Sequence, residues 1–335
     1  MAWIFAQDPI GAEQTMSTQA TPTSQGKPAP QGTKVPPATS APAQPRHLRN
    51  QPPDPRPKRP VFCAPPGSWD CHIHLFGPAR DFPFDKSSPY VSDDALPEDY
   101  LRMQCTLGMQ RAVIVSAGGY GRNSCHLESV LRRFPEFFRG IVLPPIDIKA
   151  AEIERLHRIG VRGVRMFAGP AGHEWSHLPR IDARIAELAH AQGWHVQYQS
   201  LQHGFLIEVA DQLLALPTPV VLDHFGAFDA REGVDGPGFR TVLRMLETGK
   251  TWLKLSAPMR STDEEFPYSR MTPFARMLVK HSPERLLWGS DWPHVQLHDR
   301  SMPNDGELVD LLAEWIPDTA LRQRVFTRNP LALYE

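Results

Sequence analysis

The stretch GSWDCHIHLFGP, Gly67 to Pro78, decides how the rest of the chain is read. Two histidines stand two positions apart in an apolar run, where a buried imidazole must find a partner or lose its hydration. Side chains alternate faces along a strand, so the pattern predicts Asp70, His72 and His74 on one face and Cys71 and Ile73 on the other. Taken alone, the pair fits two core histidines bonded to backbone as well as it fits a site. The decision rests on what the rest of the chain brings to meet them.

Seven further β-rich runs follow: AVIVS from Ala112, RGIVLP from Arg139, GVRMF from Gly163, HVQYQ from His195, VVLDH from Val220, WLKLS from Trp252 and LLWGSD from Leu286. Helical stretches such as HLESVLRRF, AAEIERLHRIG, IDARIAELAHAQG and PFARMLVKHS lie between them, several closed by glycine or a basic residue. Eight runs alternating with helices over the last ~270 residues predict an α/β fold, a (β/α)8 TIM-like barrel, whose usual size is about 250 residues. A doubly wound open sheet is the competing architecture. In a barrel, His72 and His74 would project at the C-terminal mouth of the first strand, where barrel enzymes keep their chemistry.

Upstream the character changes. Thirteen of the 35 prolines precede Val61, in a segment rich in Pro, Ser, Thr and Gln. Such a segment buries too little apolar surface to offset its conformational entropy, so residues 1–60 are expected to be a disordered tail and residues 61–335 the barrel domain. The basic cluster RPKRP, Arg56 to Pro60, reads as part of a solvated tail rather than an address.

Composition narrows the partners. Lys plus Arg total 36 against 37 for Asp plus Glu, which gives no electrostatic reason to expect nucleic acid or an acidic membrane surface. A small-molecule partner is expected. The four cysteines, Cys63, Cys71, Cys105 and Cys125, form no CxxC pair and fit a reducing compartment. No apolar run is long enough to span a bilayer, and the opening MAWIFAQDPIGAEQ lacks a basic n-region, so the expected location is the cytoplasm. Pairing of two copies through exposed barrel helices is compatible with this reading.

Two later strands bring groups that His72 and His74 can meet. VVLDHFGAFD ends a buried run with Asp223 and His224, and LLWGSDWPH ends another with Asp291. Polar residues at a strand's C-terminal edge are hard to explain by packing. Three imidazoles and a carboxylate converging from three strands can hold a divalent metal, or act directly as acid, base and electrophile.

Together, DCHIHLFGP, GVRGVRMF, GWHVQYQ, VVLDHFGAFD, KLSAPMR and LLWGSDWPH resemble the amidohydrolase-related family of barrel enzymes, which includes lactone hydrolases, over roughly Pro65 to the C-terminus. The resemblance implies a distorted (β/α)8 barrel with His72, His74, His224 and Asp291 in the active-site positions. It implies that Asp291 acts as the base that activates water, while the three histidines polarise a lactone carbonyl directly or through one metal, zinc being the expected ion. If a metal is bound, the same four residues are its expected ligands. A binuclear centre of the family's kind would need a bridging lysine on a middle strand, and neither HVQYQ nor GVRMF contains one.

The same resemblance assigns Arg165 and Arg260 to a substrate carboxylate, which suits a guanidinium fork. Tyr90 is expected to line the pocket and Gln199 to meet substrate. A structural salt bridge is the competing role for each arginine, and an ordinary loop aromatic for Tyr90. The chain departs from the family's dicarboxylate lactonases where GVRMF runs on into AGPAG and where Ala227 follows DHFG, positions at which they carry arginines. A substrate with less negative charge than a dicarboxylate is therefore expected. An aromatic-acid decarboxylase using a metal, and a sugar-lactone isomerase, are the alternative enzymes; a barrel that binds without turnover is the non-enzymatic one. Two further patterns carry less: GGYGRNS has Ser124 where a dinucleotide fingerprint wants its third glycine, and HEWSH, His173 to His177, lies between AGPAG and a proline, where the helix a zinc protease needs cannot run on.

Overall fold

A computed structural model of the chain describes residues 48–170, 178 and 180–335. The HEWSH pentad lies outside the described residues. Eight parallel strands pair in sequential order: β1 Trp69–Ile73, β2 Arg111–Val115, β3 Phe138–Val142, β4 Val161–Ala168, β5 His195–Ser200, β6 Val220–Leu222, β7 Thr251–Ser256 and β8 Leu286–Gly289. One helix follows each strand: α1 Pro97–Leu107, α2 Cys125–Arg133, α3 Ala150–Arg158, α4 Ala183–Ala191, α5 Leu206–Ala215, α6 Pro237–Glu247, α7 Thr272–His281 and α8 Asp305–Trp315. This is the (β/α)8 arrangement expected from the alternation, with every predicted run on a strand, and the open sheet is set aside.

Closure between β8 and β1 is made at the mouth rather than by a regular ladder. Asp291 N–H donates to His72 O at 2.9 Å, and His74 N–H donates to Trp292 O at 2.7 Å. Lower down, the buried Asp70 carboxylate takes the place of a strand: it accepts from Ser290 N–H at 2.9 Å and from Ser290 Oγ at 2.6 Å. The two strands come so close that a Cβ on Gly289 would stand 2.7 Å from His72 Cβ and 2.9 Å from His72 N. Only glycine admits that approach.

One expectation is corrected here. On β1, Asp70 pairs with Ala112 and Ile73 with Ile114, so three steps on β1 oppose two on β2, which is a β-bulge. The extra residue breaks the alternation. Asp70 faces outward and accepts from Tyr100 Oη of α1 at 3.2 Å, while Cys71 turns inward to pack with Val113, Val115 and Ile141. Asp70 therefore does not share a face with His72, and Cys71 does not share one with Ile73.

The barrel interior is filled below the mouth by Trp69, Cys71, Val113, Val115, Ile141, Val221, Trp252 and Leu287. Tyr334, from the C-terminal helix Asn329–Tyr334, stacks on Trp69 with ring centroids 5.8 Å apart and meets His195 edge-on at 5.5 Å. These contacts plug the N-terminal end, leaving the C-terminal end as the place for a ligand. A larger apolar layer lies between the strands and the helices.

Residues 48–60, which composition placed in the tail, are bonded to the barrel. Leu48–Arg49 pairs in parallel with Tyr90–Val91, and Asn304, the N-cap of α8, accepts from Lys58 N–H at 2.9 Å through its side-chain oxygen. Proline lowers the capacity for regular structure, yet side-chain and main-chain hydrogen bonds to a finished domain hold this stretch with only the two-residue strand Leu48–Arg49.

Candidate active site

The bulge that turns Asp70 outward leaves His72 inside, and β1 runs on to deliver His74. From β6, a chain reversal sets His224 at φ 49°, and from β8, Asp291 sits at φ 70°, both in the left-handed region. Non-glycine residues in that region are uncommon and are held by their surroundings. The result is a tight cluster. Oδ1 of Asp291 lies 3.6 Å from His72 Nε2, 3.6 Å from His74 Nε2 and 3.7 Å from His224 Nε2.

The other ring nitrogen of each histidine is also engaged. His74 Nδ1 donates to Val115 O at 2.8 Å, because a carbonyl only accepts, so its Nε2 offers a lone pair. His72 Nδ1 faces Asp223 Oδ1 at 3.2 Å, and His224 Nδ1 lies 3.0 Å from Ser256 Oγ. Burial pushes all three imidazoles toward the neutral form: His74 to about 4, His224 to about 3, and His72, with Lys254 adding to the effect, well below its ordinary value. Burial opposes ionisation of Asp291, yet Arg260 and the surrounding imidazoles together hold it below the usual carboxylate range. Arg260 does so through Oδ2, with Nη2 at 2.9 Å and Nε at 3.2 Å.

His74 therefore turns a lone pair toward an ionised oxygen, an arrangement that repels unless positive charge sits between them. His72 Nε2 and Asp291 Oδ1 are buried and make no hydrogen bond. His72, His224 and Asp291 each offer one ligand atom, all within 4.8 Å of one another. Imidazole and carboxylate ligands about 2.1 Å from a tetrahedral zinc would stand roughly 3.4 Å apart, so the donor set fits one divalent cation.

Around this cluster the structure places groups that sequence reasoning did not assign. Asp223 lies directly behind His72 and is also paired with Arg165 Nη2 at 3.0 Å and Lys254 Nζ at 3.3 Å. Burial pushes the Asp223 carboxyl up, but Lys254, His72 and Arg165 outweigh it and hold it well below its ordinary value. Lys254, wholly buried on β7, donates to Gln197 Oε1 at 2.7 Å and stands 3.3 Å from His72 Nδ1. It is beneath the imidazoles rather than on a middle strand. The available signal was a charged residue inside the apolar run WLKLS, whose direction within the barrel a linear sequence does not reveal.

The cavity above the cluster is lined by His74, Tyr90, Arg165, Gln199, His224 and Arg260, with Phe167, Leu178, Leu201 and Val295 supplying apolar walls. All four expected substrate residues thus border it. Both arginines, however, are committed to groups of the site itself: Arg165 to the Asp223 carboxylate and the Gln199 amide, Arg260 to the Asp291 carboxylate and Val295 O. The pairing of Asp291 with an arginine occurs inside the pocket, with Oδ1 left facing the imidazoles.

A closed parallel barrel with three imidazoles and a carboxylate gathered at its C-terminal mouth is a barrel enzyme in fold and site. The chain belongs to the Amidohydrolase family, which it matches over residues 69–335. It is 36% identical over 292 residues to a 2-pyrone-4,6-dicarboxylate hydrolase of Comamonas testosteroni, covering 83% of this chain and 93% of that one. It is 32% identical over 277 residues to a 4-sulfomuconolactone hydrolase of Rhizobium radiobacter, covering 82% and 91%. Among solved structures, an apo protein of Agrobacterium tumefaciens superimposes with a TM-score of 0.73 at 27% identity, covering 82% of this chain and 98% of that one. The resemblance read from the motifs is thereby established. Among the described residues, no helix is long and apolar enough to cross a membrane.

Proposed function

We propose that this protein is a hydrolase that opens a lactone bearing carboxylate or a similar anion, with Asp291 as the base that accepts a proton from water. The observation that carries the reading is the convergence of three imidazole Nε2 atoms on Asp291 Oδ1 at 3.6–3.7 Å, beside the cavity at the barrel mouth. The two relatives named for lactone hydrolysis support the substrate class.

His72, His74, His224 and Asp291 would hold one divalent cation, zinc by the chemistry of a His and carboxylate set. Bound there, such an ion supplies Lewis-acid polarisation of a carbonyl and lowers the pKa of an attacking water. The chain's own groups do the rest. Oδ2 of Asp291 is fixed by Arg260, which leaves Oδ1 to take the proton as the water oxygen bonds to the lactone carbonyl carbon. The tetrahedral intermediate then collapses, the ring C–O bond breaks, and the proton on Asp291 passes to the leaving oxygen. One water is consumed, and a hydroxy acid is released as its carboxylate and a proton. Phe167, Leu178, Leu201 and Val295 keep bulk water from the ring.

Because Arg165 and Arg260 already neutralise Asp223 and Asp291, the pocket holds less spare positive charge than two substrate carboxylates would need. A singly charged lactone fits better than a dicarboxylate. The test is a panel of 4-sulfomuconolactone, 2-pyrone-4,6-dicarboxylate and a sugar-acid lactone, followed by proton release and product mass. Ring opening with gain of one water, fastest on a singly charged member, is expected. Loss of carbon dioxide, or a product of unchanged mass, would assign the site to decarboxylation or isomerisation instead.

A further inference from the structure

The family match begins at residue 69, yet residues 48–51 reach across the mouth of the barrel. Asn50 is the centre of this strap and is 4% exposed. Its backbone N–H donates to Val91 O at 2.8 Å, and its Nδ2 donates to Ser92 Oγ at 2.5 Å. Both acceptors belong to the loop after β1, two residues at most from Tyr90, which lines the cavity. On its other side, Asn50 Oδ1 accepts from Gln296 N–H at 2.8 Å. Gln296 and Val295 belong to the loop after β8 and line the same cavity. Next to it, Gln51 Nε2 donates to Leu297 O at 2.8 Å.

Gln296 has φ 61°, a left-handed backbone that a residue with a Cβ adopts at a cost, so something must hold it. The loop that carries it also carries Asp291, and the loop joined to it carries Tyr90. One buried amide therefore ties together two loops that face substrate from opposite sides of the β1–β8 seam. A buried Asn whose donor and acceptor are used on different loops is satisfied only when both loops are in place.

We infer that Asn50 is a positioning residue: the strap sets the separation of Tyr90 from Gln296 and thereby the width of the substrate cavity. It acts through those two loops and touches neither the imidazole cluster nor Asp291. Its effect belongs to substrate fit, so it falls on KM rather than kcat. That consequence rests on the lactone reading, while the loop clip itself does not.

The test uses the full chain with Asn50→Ala and, separately, Ser92→Ala, which removes only the side-chain bond of Asn50 to the first loop. Hydrogen exchange read by mass spectrometry needs no substrate. Asn50→Ala is expected to speed exchange in peptides covering 89–92 and 295–297 while the eight strands keep theirs. Ser92→Ala is expected to loosen 89–92 and spare Gln296. With 4-sulfomuconolactone as the probe, KM is expected to rise about threefold to tenfold in Asn50→Ala, the loss of one or two hydrogen bonds, with kcat within twofold. Faster exchange confined to 48–51, or spread evenly over the barrel, would overturn the clip, as would a fall in kcat with KM unchanged. Absence of turnover by the unaltered protein would count against the lactone reading alone, and the exchange result would still decide the clip.

Discussion

Asp223 Oδ1 lies 3.2 Å from His72 Nδ1, and Lys254 Nζ stands 3.3 Å from the same nitrogen, so the ring edge turned away from the pocket is held between an anion and a cation. The same carboxylate pairs with both Arg165 and Lys254. Asp223→Asn keeps the shape and removes the charge, leaving two buried cations without their shared anion. We expect roughly 3–5 kcal/mol of lost stability, the usual consequence of breaking a buried pair from one side. Urea unfolding measures it, and a loss below about 1 kcal/mol would show that the three-way pairing carries no such weight.

Gly289→Ala is expected to injure the site without touching a polar group. The new methyl would meet His72 backbone and Cβ at under 3 Å, so β8 must move away from β1 and take Asp291 with it. A cost of about 1–3 kcal/mol and a fall in turnover are expected together. Unchanged turnover with intact melting would contradict the closeness of the seam.

Acid should weaken the fold through imidazoles outside the cluster. Burial lowers His195 from 6.5 to about 3 and His126 from 6.5 to about 4. In that window the unfolded chain binds more protons than the folded one, so stability rises with pH. The contribution is complete above about pH 6.5 and drains as pH falls toward 4. Thermal melting between pH 7.5 and 4.5 should show Tm falling with acid, and less so in His195→Gln. A Tm that rises over the same interval would contradict the burial of these rings.

Much of this was legible in the sequence because apolar runs and their spacing are local properties. Eight strands and the four clustered polar groups follow from runs that end in residues packing does not want, Gln199 follows from alternation along its strand, and the pocket position of Tyr90 came from the family resemblance. What failed was geometric. Strict alternation put Asp70 beside His72, and a bulge no residue type announces moved it outward. Lys254 and Asp223 meet only because β6 and β7 are neighbours and both turn these side chains inward. Residues 48–60 look unfolded by composition, since their order comes from hydrogen bonds to partners such as Gln296 and Asn304, far along the chain.

A divalent ion should accompany the protein. Protein purified without added metal is expected to hold about one equivalent per chain by elemental analysis, and His224→Ala much less, since the donor set would lose a ligand. Equal metal in both proteins would place the ion elsewhere.

Asp291→Asn tests the account most directly. Asn tolerates the left-handed backbone found at this position and keeps the side-chain size, but it cannot take a proton from water. Lactone turnover by the variant, measured beside the unaltered protein with melting as a check on folding, should fall by about 100-fold to 10,000-fold. Turnover within tenfold of the unaltered protein would show that the carboxylate among the three imidazoles is not the base.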